Sequence, residues 1–82
     1  MKTQAPAENG VYIHADGTRR WYLDGLLHRE DGPAVLYPDG GREWWRFGQL
    51  HRDRGPAIER ADGSEEWWQG GKQRKRRLQP GG

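Results

Sequence analysis

Residues 16–34 read DGTRRWYLDGLLHREDGPA, and residues 39–57 read DGGREWWRFGQLHRDRGPA. Set one above the other, they share Asp-Gly, an aromatic pair, a glycine, His-Arg and Gly-Pro-Ala at a constant step of 23 residues. A third copy follows in the same step. Asp62-Gly63 answers Asp16-Gly17 and Asp39-Gly40, Trp67-Trp68 answers Trp21-Tyr22 and Trp44-Trp45, and Gly71 answers Gly25 and Gly48. A period held without insertion means one small unit laid down side by side, each copy burying a face against the next. Such arrays present surfaces rather than a deep catalytic cleft.

Each copy reads as a β-hairpin. Asp-Gly between runs rich in Val, Ile, Tyr and Trp is a strong hairpin signal, because glycine supplies positive φ without steric cost. The predicted strand–turn–strand units are 10–14 and 19–23 around 15–17, 34–37 and 42–47 around 38–40, and 57–60 and 65–69 around 61–63. Thirteen Gly and five Pro in 82 residues leave no room for an amphipathic helix. Pro33 and Pro56 fall just before their strands, where a missing N–H costs least. The expected fold is therefore all-β: an antiparallel meander of three tandem hairpins in one curved sheet. Residues 1–9 are expected to form a flexible lead, 10–71 the repeat domain, and 72–82 a basic flexible tail.

In-register stacking sets side chains in rows. Trp21, Trp44 and Trp67 form one column, and Tyr22, Trp45 and Trp68 a second on the opposite face, since side chains alternate along a strand. Tyr12, Val35 and Ile58 form another row. Arg19, Arg42 and Glu65 align, as do Arg20, Glu43 and Glu66, allowing cross-strand ion pairs and cation–π contacts with Trp. One aromatic column is expected to be core. The other is either covered by the folded-back loops at 26–27 and 49–50, or left as a surface for a partner or a second copy of the chain.

Apolar residues make up 32% of the chain, and charged residues another 32%. Five Trp, three Tyr and one Phe supply a core of few, large pieces. The absence of Cys removes disulfides and thiolate metal sites. No apolar run approaches the roughly 20 residues of a membrane helix, and Met1–Asn9 lacks the apolar stretch of a signal peptide. The expectation is a cytoplasmic protein that does not engage membranes. The net charge is +2. Five positive charges lie within Lys72–Arg77, which leaves −3 on the remainder. The body is mildly acidic and the end strongly basic.

The strings Gly-Leu-Leu-His-Arg-Glu-Asp-Gly-Pro-Ala (25–34) and Asp-Gly-x-x-x-Trp-Trp-x-x-Gly-x-Leu-His-Arg (39–52) resemble a repeat of bacterial, phage and giant-virus proteins. That repeat is similar to the MORN repeat in period and in order of features, over about residues 10–75. The resemblance implies an elongated sheet of antiparallel hairpins and contacts with proteins, in some members with lipids. The chain departs from MORN in carrying Arg29 and Arg52 after His, and in adding Pro33 and Pro56.

His28 and His51 are the candidate chemical groups. Zinc needs three or four converging donors, and only two His recur, one hairpin apart. Their identical use in successive copies points instead to architecture: a ring N–H, at Nδ1, bonding a loop carboxylate or carbonyl and pinning the turn. His28, His51, Gly32, Gly55, Pro33, Pro56, Asp39, Gly40, Asp62 and Gly63 are accordingly expected to be structural. No catalytic residue, metal or cofactor is expected. The expected contact residues for a protein partner are Trp21, Trp44 and Trp67, with Arg42, Arg46, Arg52 and the basic Lys72, Arg74, Lys75, Arg76 and Arg77 at the rim. The expected function is a non-enzymatic protein-binding module, extended by size and analogy to a stoichiometric phage or mobile-element inhibitor of a host defence protein, in the manner of an anti-CRISPR. A nucleic-acid-associated protein using the basic end is the alternative. A carbohydrate platform is disfavoured because the His-Arg…Gly-Pro-Ala segment does not match such modules.

Overall fold

The computed structural model describes residues 8–78. They form ten β-strands and no helix: β1 (Gly10–Ile13), β2 (Arg19–Leu23), β3 (Leu26–Leu27), β4 (Val35–Leu36), β5 (Arg42–Glu43), β6 (Trp45–Arg46), β7 (Gln49–Leu50), β8 (Ile58–Glu59), β9 (Glu65–Gln69) and β10 (Lys72–Arg77). Seven strands lie side by side in the order β1-β2-β4-β5-β8-β9-β10, with β3 also on β2 and β6–β7 as a hairpin of its own. All pairings are antiparallel. The stacked copies make a body of 45 × 27 × 25 Å.

The Asp-Gly turns are formed as the sequence predicts. Gly17, Gly40 and Gly63 hold φ of 95°, 95° and 91°. Each preceding Asp accepts a bond at Oδ1 from the N–H two residues on, at Thr18, Gly41 and Ser64, the local arrangement that suits Asp to turns. The rows follow too. Tyr12, Arg20, Val35, Glu43, Ile58, Glu66 and Arg76 stand opposite one another across seven strands.

Each copy nevertheless holds a second hairpin. Its turns are Asp24-Gly25, Phe47-Gly48 and Gly70-Gly71, all with positive φ at both residues, the two-residue type I′ turn whose twist matches flanking strands. Residues 26–27 and 49–50, expected as loops folded over a face, are the strands β3 and β7, paired edge to edge with β2 and β6. The expected flexible tail is likewise corrected over 72–77. This segment is β10, paired along the whole of β9, with a bulge between Gln73 and Lys75. Its composition reads as a solvated tail, but the open edge of β9 satisfies its backbone. Of the expected flexible lead, residues 1–7 lie outside the described residues. Glu8 and Asn9 are tied to the Asp24-Gly25 turn, accepting bonds from the N–H of Gly25 and Asp24.

Trp21 and Trp44 are the branch points between the two hairpins. The Trp44 N–H donates to the Ala57 carbonyl at 2.8 Å, in the main sheet, while its carbonyl accepts from the His51 N–H at 3.0 Å, in the second hairpin. Trp21 does the same with Ala34 and His28. The second hairpins also bond to one another, Arg29 N–H to Trp45 and Arg52 N–H to Trp68.

The core is smaller than expected. Its buried apolar residues are Ala34, Val35, Ala57 and Ile58. The expectation that one aromatic column is core is corrected: both Trp columns are half-buried.

Candidate protein-binding face

The repeated segment His-Arg-x-x-Gly-Pro-Ala builds the joint between copies, and each of its residues has a task. The arginine lies over the indole of its own copy: Arg29 4.0 Å above Trp21 and Arg52 3.7 Å above Trp44. From there Nη1 reaches back to the proline carbonyl, Arg29 to Pro33 at 3.2 Å and Arg52 to Pro56 at 3.0 Å. The glycine leaves space for this. A Cβ at Gly32 would stand 3.2 Å from the Arg29 Cζ, and one at Gly55 3.1 Å from the Arg52 Nη1. Ala34 and Ala57 follow with no exposed surface at all, where a larger side chain has no room.

The histidine ties one copy to the next. Nδ1 of His28 accepts from the Phe47 N–H at 3.0 Å, and Nδ1 of His51 from the Gly70 N–H at 2.9 Å. Nδ1 is therefore bare, so the proton of the neutral ring is on Nε2. Nε2 faces Glu30 at 2.6 Å in one copy and Asp53 at 2.8 Å in the other. Two details differ from the expected bonding of these rings. The nitrogen facing the carboxylate is Nε2, because Nδ1 is taken as an acceptor, and the pinned turn belongs to the following copy. The His51 bond holds the Asp53 carboxyl below the usual carboxylate range.

Each expected contact residue then has a place. Trp21, Trp44 and Trp67 stand at equivalent positions in successive copies, each beneath a cation, with Lys75 4.5 Å from Trp67 completing the series. Arg42 pairs with Glu59 at 3.0 Å and Arg52 with the same carboxylate at 3.2 Å. Arg46 reaches Asp53 at 3.5 Å. Arg77 pairs with Glu65 at 2.6 Å. Lys72, Arg74 and Arg76 are exposed along β10. The structure thus brings Trp44, Arg42, Arg52 and Glu59 together, and Trp67 with Lys75. The column expected to face outward carries a cation on each of its rings.

The second column is fixed differently. The indole N–H of Trp45 donates to Glu43 and that of Trp68 to Glu66, both at 2.8 Å. Glu43 also accepts from Tyr37 Oη at 2.9 Å, and burial together with this bond pushes the Tyr37 hydroxyl pKa up. Burial alone would raise the Glu66 carboxyl, but the bonds from Trp68 and Arg60 hold it below the usual range.

Two features escape the sequence reading. Arg29 and Lys75 belong to the same Trp–cation series as Arg52, and the signal was present in the constant eight-residue step from each Trp. Phe47 is the other. It is 62% exposed in a left-handed conformation with φ 48°, its ring 4.3 Å from that of His28. Its counterparts Asp24 and Gly70 adopt that conformation easily, whereas a bulky residue there is unusual. Leu26, 47% exposed, lies beside it against Gly48.

Among the described residues no group of three or more His, Cys, Asp or Glu is arranged to hold a metal ion, and no helix is long and apolar enough to cross a membrane. No family model matches the chain, and neither a curated protein nor a solved structure does.

Proposed function

We propose that this chain is a non-enzymatic protein-binding module of the MORN-like kind, working in the cytoplasm, whose contact face is the Trp–cation series. One observation supports this above others: Trp21–Arg29, Trp44–Arg52 and Trp67–Lys75 repeat in step with the strands. Half-exposed Trp and Arg held by packing are the residues that dominate protein interfaces, since little freedom is lost when they bind. Arg42 and Arg46 flank the series, and Phe47 with Leu26 adds an apolar point at the adjoining row of turns. A small module that acts by covering a surface suits a one-to-one inhibitor, and a phage-encoded antagonist of a host defence protein is the use we favour.

The test is capture of partners on the tagged chain beside the variant Arg46→Glu, whose ion pair is to exposed Asp53, and Trp67→Ala. Both are expected to keep the circular dichroism of the parent and to lose a partner held one-to-one. A partner held equally well by both folded variants would rule this face out.

A second reading rests on β10. Arg74, Lys75 and Arg76 stand on an ordered strand beside Trp67, a cation-and-aromatic arrangement suited to single-stranded nucleic acid. Fluorescence anisotropy with labelled single-stranded DNA and RNA tests it. Steep weakening with salt, abolished in Arg74→Glu/Arg76→Glu, is the result expected of that reading.

A further inference from the structure

The two ends of the sheet are finished differently. β10 lies beside β9 where β8 lies beside β5: Arg76 faces Glu66 as Ile58 faces Glu43, and Arg77 faces Glu65 as Glu59 faces Arg42. β10 thus takes the place a further copy would occupy, and its cations guard the edge it presents. At the other end, β1 corresponds by the 23-residue step to 33–36 and 56–59. There β4 lies between β2 and β5, and β8 between β5 and β9. β1 has β2 on one side, and none of the described residues pairs with its other side.

This edge carries no charge. Val11, Tyr12 and Ile13 are 47%, 39% and 58% exposed. Its backbone polarity can be read from the register. The Trp21 N–H points away from β1, to Ala34, so Val11 opposite Trp21 is a non-hydrogen-bonded pair, and so is Ile13 opposite Arg19. The N–H and C=O of Val11 and of Ile13 therefore point outward from the sheet.

We propose that β1 pairs antiparallel with β1 of a second copy of this chain, about a two-fold axis at Tyr12. In that register Val11 meets Ile13 of the other copy and Ile13 meets its Val11. All four outward groups are then bonded, and the two Tyr12 rings face each other across the close, non-bonded position. A second copy fits this edge better than other pairings of the chain with itself. Two β10 edges would set five cations against five. β1 on β10 would leave one open edge of each kind and build an open-ended chain, whereas β1 on β1 closes. Four residues bury well under the roughly 1,200 Å² at the low end of standard interfaces, so the dimer is concentration-dependent rather than obligate.

Sedimentation equilibrium of the full chain from about 10 µM to about 1 mM, a span chosen for so small an interface, tests the proposal. The average mass is expected to rise toward two copies and no further. Tyr12→Lys, which opposes two ammonium groups at the axis, is expected to weaken association at least tenfold. Val11→Lys is a second variant should the first fail to fold. Amide hydrogen exchange gives the register: the Val11 and Ile13 amides slow with concentration, while that of Tyr12, already bonded to β2, does not change. Any of four results overturns the proposal. These are a monomer throughout, a mass that climbs past two copies, a dimer indifferent to both variants while they stay folded, or Val11 and Ile13 amides protected at every concentration, which would place the chain's own N-terminal residues on the edge.

Discussion

The two joints between copies use the same residues and reach different degrees of enclosure. In both, a histidine accepts the N–H of the next copy's type I′ turn, an arginine lies on a tryptophan, and glycine, proline and alanine follow. Yet His28 is buried and His51 only half-buried. The difference lies in the turn that each one holds. At the first joint that turn begins with Phe47, whose ring covers His28. At the second it begins with Gly70, which has no side chain to cover anything. The bonding pattern of the joint is thus set by the shared motif, while enclosure is set by one residue that the motif leaves open. What the copies share is that pattern, and what varies around it is where individual properties reside.

The largest expected effect tests that difference directly. His28→Ala removes the acceptor of a part-buried N–H and empties a buried site, which is expected to cost about 2–3 kcal/mol. His51→Ala leaves an N–H that water can reach and is expected to cost about 1 kcal/mol. Thermal and urea denaturation of both variants measures the gap, and equal losses would show that enclosure does not matter at this joint.

The glycines sharpen the same contrast in the opposite direction. Gly55 has φ 111°, in the left-handed half of conformational space, whereas Gly32 does not. Alanine at either position meets the arginine, but at Gly55 the backbone must also change. Gly55→Ala is expected to cost about 1–2 kcal/mol and Gly32→Ala less than about 1 kcal/mol, the difference being backbone strain. Denaturant midpoints of the pair decide it.

Much of this was legible beforehand, because the period is physical. Gly17, Gly40 and Gly63 announce their turns, and the identical placing of His28 and His51 argues for structure over chemistry. The second hairpins were not legible as such. Asp24-Gly25 is a hairpin signal by itself, but Phe47-Gly48 is not, since phenylalanine rarely adopts positive φ. Without a matching signal in the next copy, 26–27 and 49–50 read as loops. Nor could composition show that Lys72–Arg77 has a strand edge waiting for it. The facing of the tryptophans depends on the branching of the chain at Trp21 and Trp44 from the main sheet into the second hairpins, and spacing alone does not record that. The contact residues remain a proposal that the capture experiment addresses.

Acid acts on the second joint and the turns through carboxylates. Backbone bonds from Thr18 and Ser64 hold the Asp16 and Asp62 carboxyls below their ordinary values, and Asp53 is held down by His51. Glu66 is also lowered overall. A carboxyl lowered in the folded state takes up its proton more readily when unfolded, so its contribution is complete above about pH 4 and is lost as pH falls through the folded value. Through these carboxyls stability is therefore expected to fall below about pH 4. Asp53→Asn, which acts only at the second joint, is expected to make the acid limb shallower. Urea midpoints across pH check both expectations, and an unchanged slope in Asp53→Asn would remove the His51–Asp53 contact from the acid response.

The smallest expected effect bears on the residue that makes the joints differ. Phe47→Gly gives the first joint the turn of the second. Relief of the left-handed phenylalanine, about 1 kcal/mol, opposes loss of the ring from His28, about 0.5–1.5 kcal/mol. The net change is expected to lie within about 0.5 kcal/mol of zero by denaturation. Hydrogen exchange at the Phe47 amide should nonetheless quicken toward the rate at Gly70, because the covering ring is gone while the bond to Nδ1 remains. A phenylalanine that leaves stability unmoved, sits in an awkward backbone conformation and points largely into water is not kept there for folding. Its removal should then weaken partner capture while the melting curve stays in place. A large loss of stability would instead make the ring a structural lid, and the two joints would differ in strength rather than in use.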